Sequence, residues 1–108
     1  MPKILHLTLK KEWFDMIASD EKKEEYRELK PYWWNRLIER YDPIDGELIT
    51  RRYDIVRFKN GYSKNCPEMD VEFIETRIAK TGVKEWGYPG KCLGIKLGKI
   101  LSIKNYTN

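Results

Sequence analysis

Histidine, cysteine and alanine are scarce in this 108-residue sequence, and each shortage closes a route. A single histidine, His6, excludes any mechanism that needs a histidine pair. The two cysteines, Cys66 and Cys92, stand too far apart for a metal knuckle or a redox Cys-x-x-Cys, and read as reduced thiols of a cytoplasmic protein. No apolar run is long enough to cross a bilayer. The start, Met-Pro-Lys-Ile-Leu-His, lacks the apolar stretch and small-residue cleavage site of a secretory signal. Gly87-x-x-Gly90 lacks the Gly-Lys-Ser/Thr ending of a phosphate loop, so no metal, flavin or dinucleotide cofactor is expected. Only Ala18 and Ala79 stand against 11 Ile, 3 Val and 14 aromatic residues, a mixture that favours pleated, half-buried surfaces over helix packing.

What is present fits one domain over residues 1–108, large enough to bury roughly 65% of its unfolded surface without staples. Charged residues make up 35% of the chain and the apolar class 41%, which excludes a disordered tail. The net charge of +4 is unevenly placed. Residues 1–90 balance 17 Lys/Arg against 17 Asp/Glu, whereas Lys91, Lys96, Lys99 and Lys104 follow with no acid among them. Such a tail end attracts polyanions, although lysines that only solubilise a strand edge look the same.

Ile4 to Leu9 alternates, with Leu5, Leu7 and Leu9 on one face, and reads as a strand. Lys11 to Ser19 spaces Trp13, Phe14 and Ile17 as a short amphipathic helix that stops at Ser19-Asp20. Lys23 to Leu29 as a strand presents Lys23, Glu25 and Arg27 on one side. Pro31 opens a second helix whose stripe, Trp33, Trp34, Leu37, Ile38 and Tyr41, runs to Asp42-Pro43. Asp45-Gly46 is a turn, and Tyr53 to Lys59 a strand that places Val56 and Phe58 together. In the strand Met69 to Ala79, Val71, Phe73, Glu75 and Arg77 face one way and Glu72, Ile74, Thr76 and Ile78 the other. Thr81 to Gly90 reads as an ordered loop, and Cys92 to Ile103 closes the chain as strand with a bend at Gly98. These elements predict an α+β fold: a small, partly closed β-barrel of five to six strands flanked by two short helices.

The segment Asp20-Glu21-Lys22-Lys23-Glu24-Glu25-Tyr26-Arg27 is the unusual one. If Glu25 and Arg27 share a buried strand face, they must pair, and with Lys22 at the strand's mouth they suit a phosphate, a carboxylate or a base edge. The plain alternative is a solvated helix with Glu21/Glu25 and Lys22/Tyr26 at i, i+4.

The segment resembles the signature of the ASCH domain, a relative of the PUA RNA-binding barrel: Gly-x-Lys-x-x-Glu-x-Arg after a strand and an aromatic-containing helix. Lys22, Glu25 and Arg27 match, and Asp20 stands at the family's glycine, where aspartate is among the few residues that tolerate a left-handed turn. The likeness extends to the Trp-containing second helix, the Phe58-Lys59-Asn60-Gly61-Tyr62 turn and the strand Gly94-Ile95-Lys96-Leu97-Gly98. It implies a PUA-like barrel with a cleft that binds RNA. Some members are similar enough to imply an enzyme: amidohydrolases acting on N4-acetylcytidine, or ribonucleases. In the amidohydrolase branch a threonine stands at the place of Glu25 and the catalytic lysine corresponds to Lys22. Glu75 or Glu85 is the only offer for that branch's glutamate, with no motif to choose between them.

Three functions follow as expectations. In an RNA- or nucleotide-binding module, Lys22, Arg27, Lys59 and Lys91 meet phosphate, Tyr32, Trp33, Tyr62 and Trp86 stack on bases, and Glu25 and Asn60 complete the cleft. Trp13, Phe14, Trp34 and Phe73 are left to the core. In a hydrolase of a modified nucleoside or of RNA, Lys22 and Glu25 are the catalytic candidates. In a module recruiting a protein, of a kind the sequence does not identify, the Trp33/Trp34 surface or a strand edge would serve.

Overall fold

The computed structural model describes residues 1–79 and 91–106. Among them are seven strands and two helices: β1 (Ile4–Thr8), α1 (Lys11–Ala18), β2 (Glu24–Arg27), α2 (Pro31–Leu37), β3 (Ile38–Tyr41), β4 (Leu48–Thr50), β5 (Ile55–Lys59), β6 (Glu68–Ala79) and β7 (Cys92–Lys104). The class is α+β, with a five-stranded mixed sheet bonded in the order β1-β5-β6-β7-β2 and a separate β3-β4 pair. None of these helices is long and apolar enough to cross a membrane.

The chain packs as two compact units. The first comprises Met1–Lys23, Tyr53–Ile74 and the chain from Leu97 onward. Here β1 runs parallel to β5, with Leu7 beside Phe58, and β5 runs antiparallel to β6, with Val56 beside Val71 and Phe58 beside Met69. The expected alternation holds because one face is buried: Leu5, Leu7, Leu9, Val56, Phe58, Met69, Val71 and Phe73 are all core, as are Phe14 and Ile17 of α1. The opposite face is a ladder of charge, in which Arg57 binds Asp70 through two hydrogen bonds of 2.8 and 2.9 Å. That contact holds the Asp70 carboxyl below the usual carboxylate range, against the opposing pull of burial.

The second unit comprises Glu24–Arg52 and the runs of β6 from Glu75 and of β7 up to Lys96. β2 pairs antiparallel with β7, placing Glu25 beside Ile95 and Tyr26 beside Gly94. Pro31 occupies the first turn of α2, as its missing N–H favours.

Three expectations need correction. The second helix ends at Leu37 rather than continuing to Tyr41: Ile38 turns extended and Ile38–Tyr41 pairs with Leu48–Thr50. The hairpin is fixed locally, by Asp42 Oδ1 accepting the Ile44 N–H, Asp45 Oδ1 accepting the Glu47 N–H, and Gly46 at φ +74°. These bonds outweigh a helical stripe whose last member, Tyr41, still meets Trp34 edge-on at 6.3 Å. On β6 the buried side changes parity: Phe73 is buried, Ile74 and Glu75 are both exposed, and Thr76 is buried. The chain there departs from strict two-residue alternation, so a face assignment carried from Val71 fails beyond Phe73. Finally, Trp13 and Trp34 are half-buried, whereas Phe14 and Phe73 are core as expected.

Candidate functional site

The residues expected to carry function begin where α1 stops. Asp20 has φ +67°, the left-handed conformation that glycine adopts freely, and the N–H groups of Glu21 and Lys22 both bond to the Met16 carbonyl. Lys22 belongs to the first unit and is buried at 3% exposure, its ammonium 5.7 Å from the centre of the Trp13 ring. Lys23 then hands the chain to the sheet through its carbonyl, which accepts the Leu97 N–H.

In the second unit, β2 carries charge on both faces, Glu24 on one and Glu25 with Arg27 on the other. Glu24 reaches across β7 to Arg77, accepting two hydrogen bonds of 2.7 Å from the guanidinium and one of 2.8 Å from the Tyr26 hydroxyl. The crossing point is Gly94, where a Cβ would lie 2.8 Å from Glu24 Oε2. Burial and the neighbouring Glu24 carboxylate push the Tyr26 phenol far above its ordinary range, and burial raises the Cys92 thiol as well. Cys92 is a fully buried free thiol of the core.

The other face holds Glu25 and Arg27. Glu25, at 6% exposure, accepts a 2.7 Å hydrogen bond from Arg27 Nη2, and the Arg27 side chain is 15% exposed. Two residues apart on one strand, the two point the same way, which a helix would not permit. The solvated-helix alternative is thereby excluded. The Arg27 guanidinium lies 4.8 Å from the Trp33 ring centre, Tyr32 meets Trp33 edge-on at 4.8 Å, and Arg36 lies 4.7 Å over Tyr32. Arg27, Trp33, Tyr32 and Arg36 thus form a run of two touching rings with a guanidinium at each end, which leads from the buried pair to the exposed surface of α2.

The remaining candidates are placed separately. Lys59 stands 3.7 Å from Glu68, and the Asn60 amide donates to the Leu9 carbonyl, so both help hold the first unit's sheet. Tyr62 is 92% exposed, and Lys91 is exposed. Trp86 and Glu85 lie outside the described residues, as does the loop expected over Thr81 to Gly90. Glu75 is exposed. Among the described residues no group of three His, Cys, Asp or Glu side chains is arranged to hold a metal ion.

Sequence reasoning missed two features. The Glu24–Arg77–Tyr26 bridge joins residues 53 apart in the chain, and its only local trace is a glycine on the strand between them. The second is Thr76, 6% exposed, whose buried hydroxyl has no hydrogen-bond partner. Comparison with known proteins adds no relative: no family model, no curated protein and no solved structure matches the chain.

Proposed function

We propose that this chain binds single-stranded RNA or a nucleotide through the face that carries Glu25, Arg27, Trp33, Tyr32 and Arg36. The observation that carries the reading is the buried Glu25–Arg27 pair with Trp33 against its guanidinium, continued outward by Tyr32 and Arg36. Rings offer sequence-tolerant stacking and guanidinium groups offer phosphate contacts, the combination that single-stranded nucleic acid requires. Lys91 is a further exposed cation of the same unit. In this reading the chain is an ASCH-type domain with a PUA-like barrel. Asp20 supports that likeness by taking a left-handed backbone at the signature's glycine, as do the burial of Lys22 and the Glu25–Arg27 pair.

The test is the fluorescence anisotropy of a labelled single-stranded oligoribonucleotide titrated with the full chain at several salt concentrations. Binding should weaken steeply with salt, and Arg36→Ala should reduce the salt slope by about 0.7 if it meets one phosphate. Tyr32→Ala should cost about 1–3 kcal/mol if it stacks on a base. Both side chains are exposed, so neither variant should disturb folding. Binding indifferent to salt and to both substitutions would end the proposal.

Burial of the Lys22 side chain favours a second reading, hydrolysis of a modified nucleoside. Release of acetate from N4-acetylcytidine by the wild type, abolished in Lys22→Ala, would establish it; an inert wild type would dismiss it.

A further inference from the structure

Thr76 presents a hydroxyl that is closed off from solvent and bonded to nothing, and its direction can be derived. Glu24 of β2 and Arg77 of β6 meet over Gly94 of the strand between them, so those two side chains share one face of the sheet. Successive residues of a strand point to opposite faces. Glu25 and Thr76 therefore share the other face, together with Arg27, and both are buried at 6% exposure. They stand on the two strands that flank β7. Glu25 pairs with Ile95, a fully buried apolar residue of that intervening strand.

A hydroxyl buried without a partner costs the folded protein free energy, and hydrophobic replacement of such a group is ordinarily neutral or stabilising. A carboxylate and a hydroxyl on the two strands beside an apolar strand form a poor phosphate site, since Glu25 repels an anion. They suit a flat heterocycle that offers an N–H group to one and a carbonyl or ring nitrogen to the other.

We infer that Thr76 is a ligand contact that reads the edge of a nucleobase, with the base directed toward Glu25 and Thr76 and the phosphate toward Arg36. This orientation rests on the nucleotide-binding reading above and adds a polarity to it. Because the hydroxyl oxygen is covered in the free protein, binding must turn aside the side chains above it.

The test compares wild type, Thr76→Val and Thr76→Ser by calorimetric titration with cytidine, uridine, adenosine and guanosine, alongside the oligoribonucleotide salt titration and thermal unfolding. Valine keeps the shape and removes the hydroxyl; serine keeps the hydroxyl. Thr76→Val should lose about 3- to 30-fold in affinity for the preferred nucleoside, narrow the discrimination among the four, and leave the salt slope unchanged. Its melting temperature should equal or exceed that of the wild type, and Thr76→Ser should retain the nucleoside preference. Unchanged nucleoside affinity in Thr76→Val overturns the inference while Arg36-dependent RNA binding leaves the broader reading standing. A drop of several degrees in the melting temperature of Thr76→Val also overturns it, because the hydroxyl would then have a partner inside the fold. A wild type that binds neither nucleoside nor RNA overturns both.

Discussion

Each unit of the molecule contains an arginine–carboxylate pair on a sheet face, and the two are set differently. Arg57 and Asp70 are cross-strand partners in register, joined by two hydrogen bonds, with Glu68 and through it Lys104 extending the network along a face that sees water. Glu25 and Arg27 lie on one strand, more deeply covered, with an aromatic ring against the guanidinium. The first arrangement is a half-buried rung that fixes register, and a rung that keeps partial access to water contributes less than a covered pair. The second removes two charges from water at a cost that a register device does not require. That difference separates a structural ion pair from a candidate binding pair, and substitutions can break or sharpen it.

The largest effect is expected from Arg27→Ala. It leaves Glu25 buried without its guanidinium, which should cost about 3–5 kcal/mol of stability in denaturant titration. Arg57→Ala should cost about 1 kcal/mol or less, because water and neighbouring cations compensate Asp70. Equal losses in the two variants would erase the distinction. Arg27→Lys sharpens it further: the charge remains but the flat face toward Trp33 does not, so RNA affinity should fall more than stability does.

An intermediate effect is expected where carboxylates lie across β7. A Cβ at Gly94 would press on Glu24, whose oxygens are pinned by Arg77 and Tyr26. A Cβ at Gly98 would press on Glu72, whose exposed side chain makes one long bond of 3.3 Å to the Lys99 N–H. Gly94→Ala should therefore cost about 1–3 kcal/mol, and Gly98→Ala clearly less, since a lightly held side chain moves aside. Chemical denaturation of both variants checks the order; a greater loss at Gly98 would mean that the Glu72 crossing is the firmer of the two.

These contrasts also explain what the sequence discloses. The first unit's strands were legible because Leu5, Leu7 and Leu9, and then Val56 and Phe58, alternate against a single buried face. Asp20 was legible as a residue able to take a left-handed backbone, which few side chains accept. The end of α2 was not, because Trp34, Leu37, Ile38 and Tyr41 keep helical spacing while the deciding bonds come from Asp42 and Asp45 beyond it. β4, with three residues, is too short to show a period. Thr76 was hidden by the change of parity on β6: its side follows from the Glu24–Arg77 contact across β7, a tertiary fact with no periodic trace. Contacts that depend on fixed spacing along one strand, such as Glu25 with Arg27, could be read in advance; contacts that depend on which strand lies next could not.

The smallest effect expected is the acid response of the structural pair. Arg57 holds the folded-state pKa of Asp70 below its unfolded value, which is near 3.9 for an aspartate. Between those two values the unfolded chain binds a proton that the folded chain does not, so stability rises with pH. The contribution is fully present above the unfolded value and lost as pH falls through the folded one. Asp70→Asn cannot titrate, so the wild-type and variant stability curves should lie furthest apart at neutral pH and draw together below about pH 4. Urea titrations of both proteins from neutral to strongly acid pH test this, and a gap that stays constant throughout would mean that Asp70 stabilises through its shape and hydrogen bonds rather than through its charge.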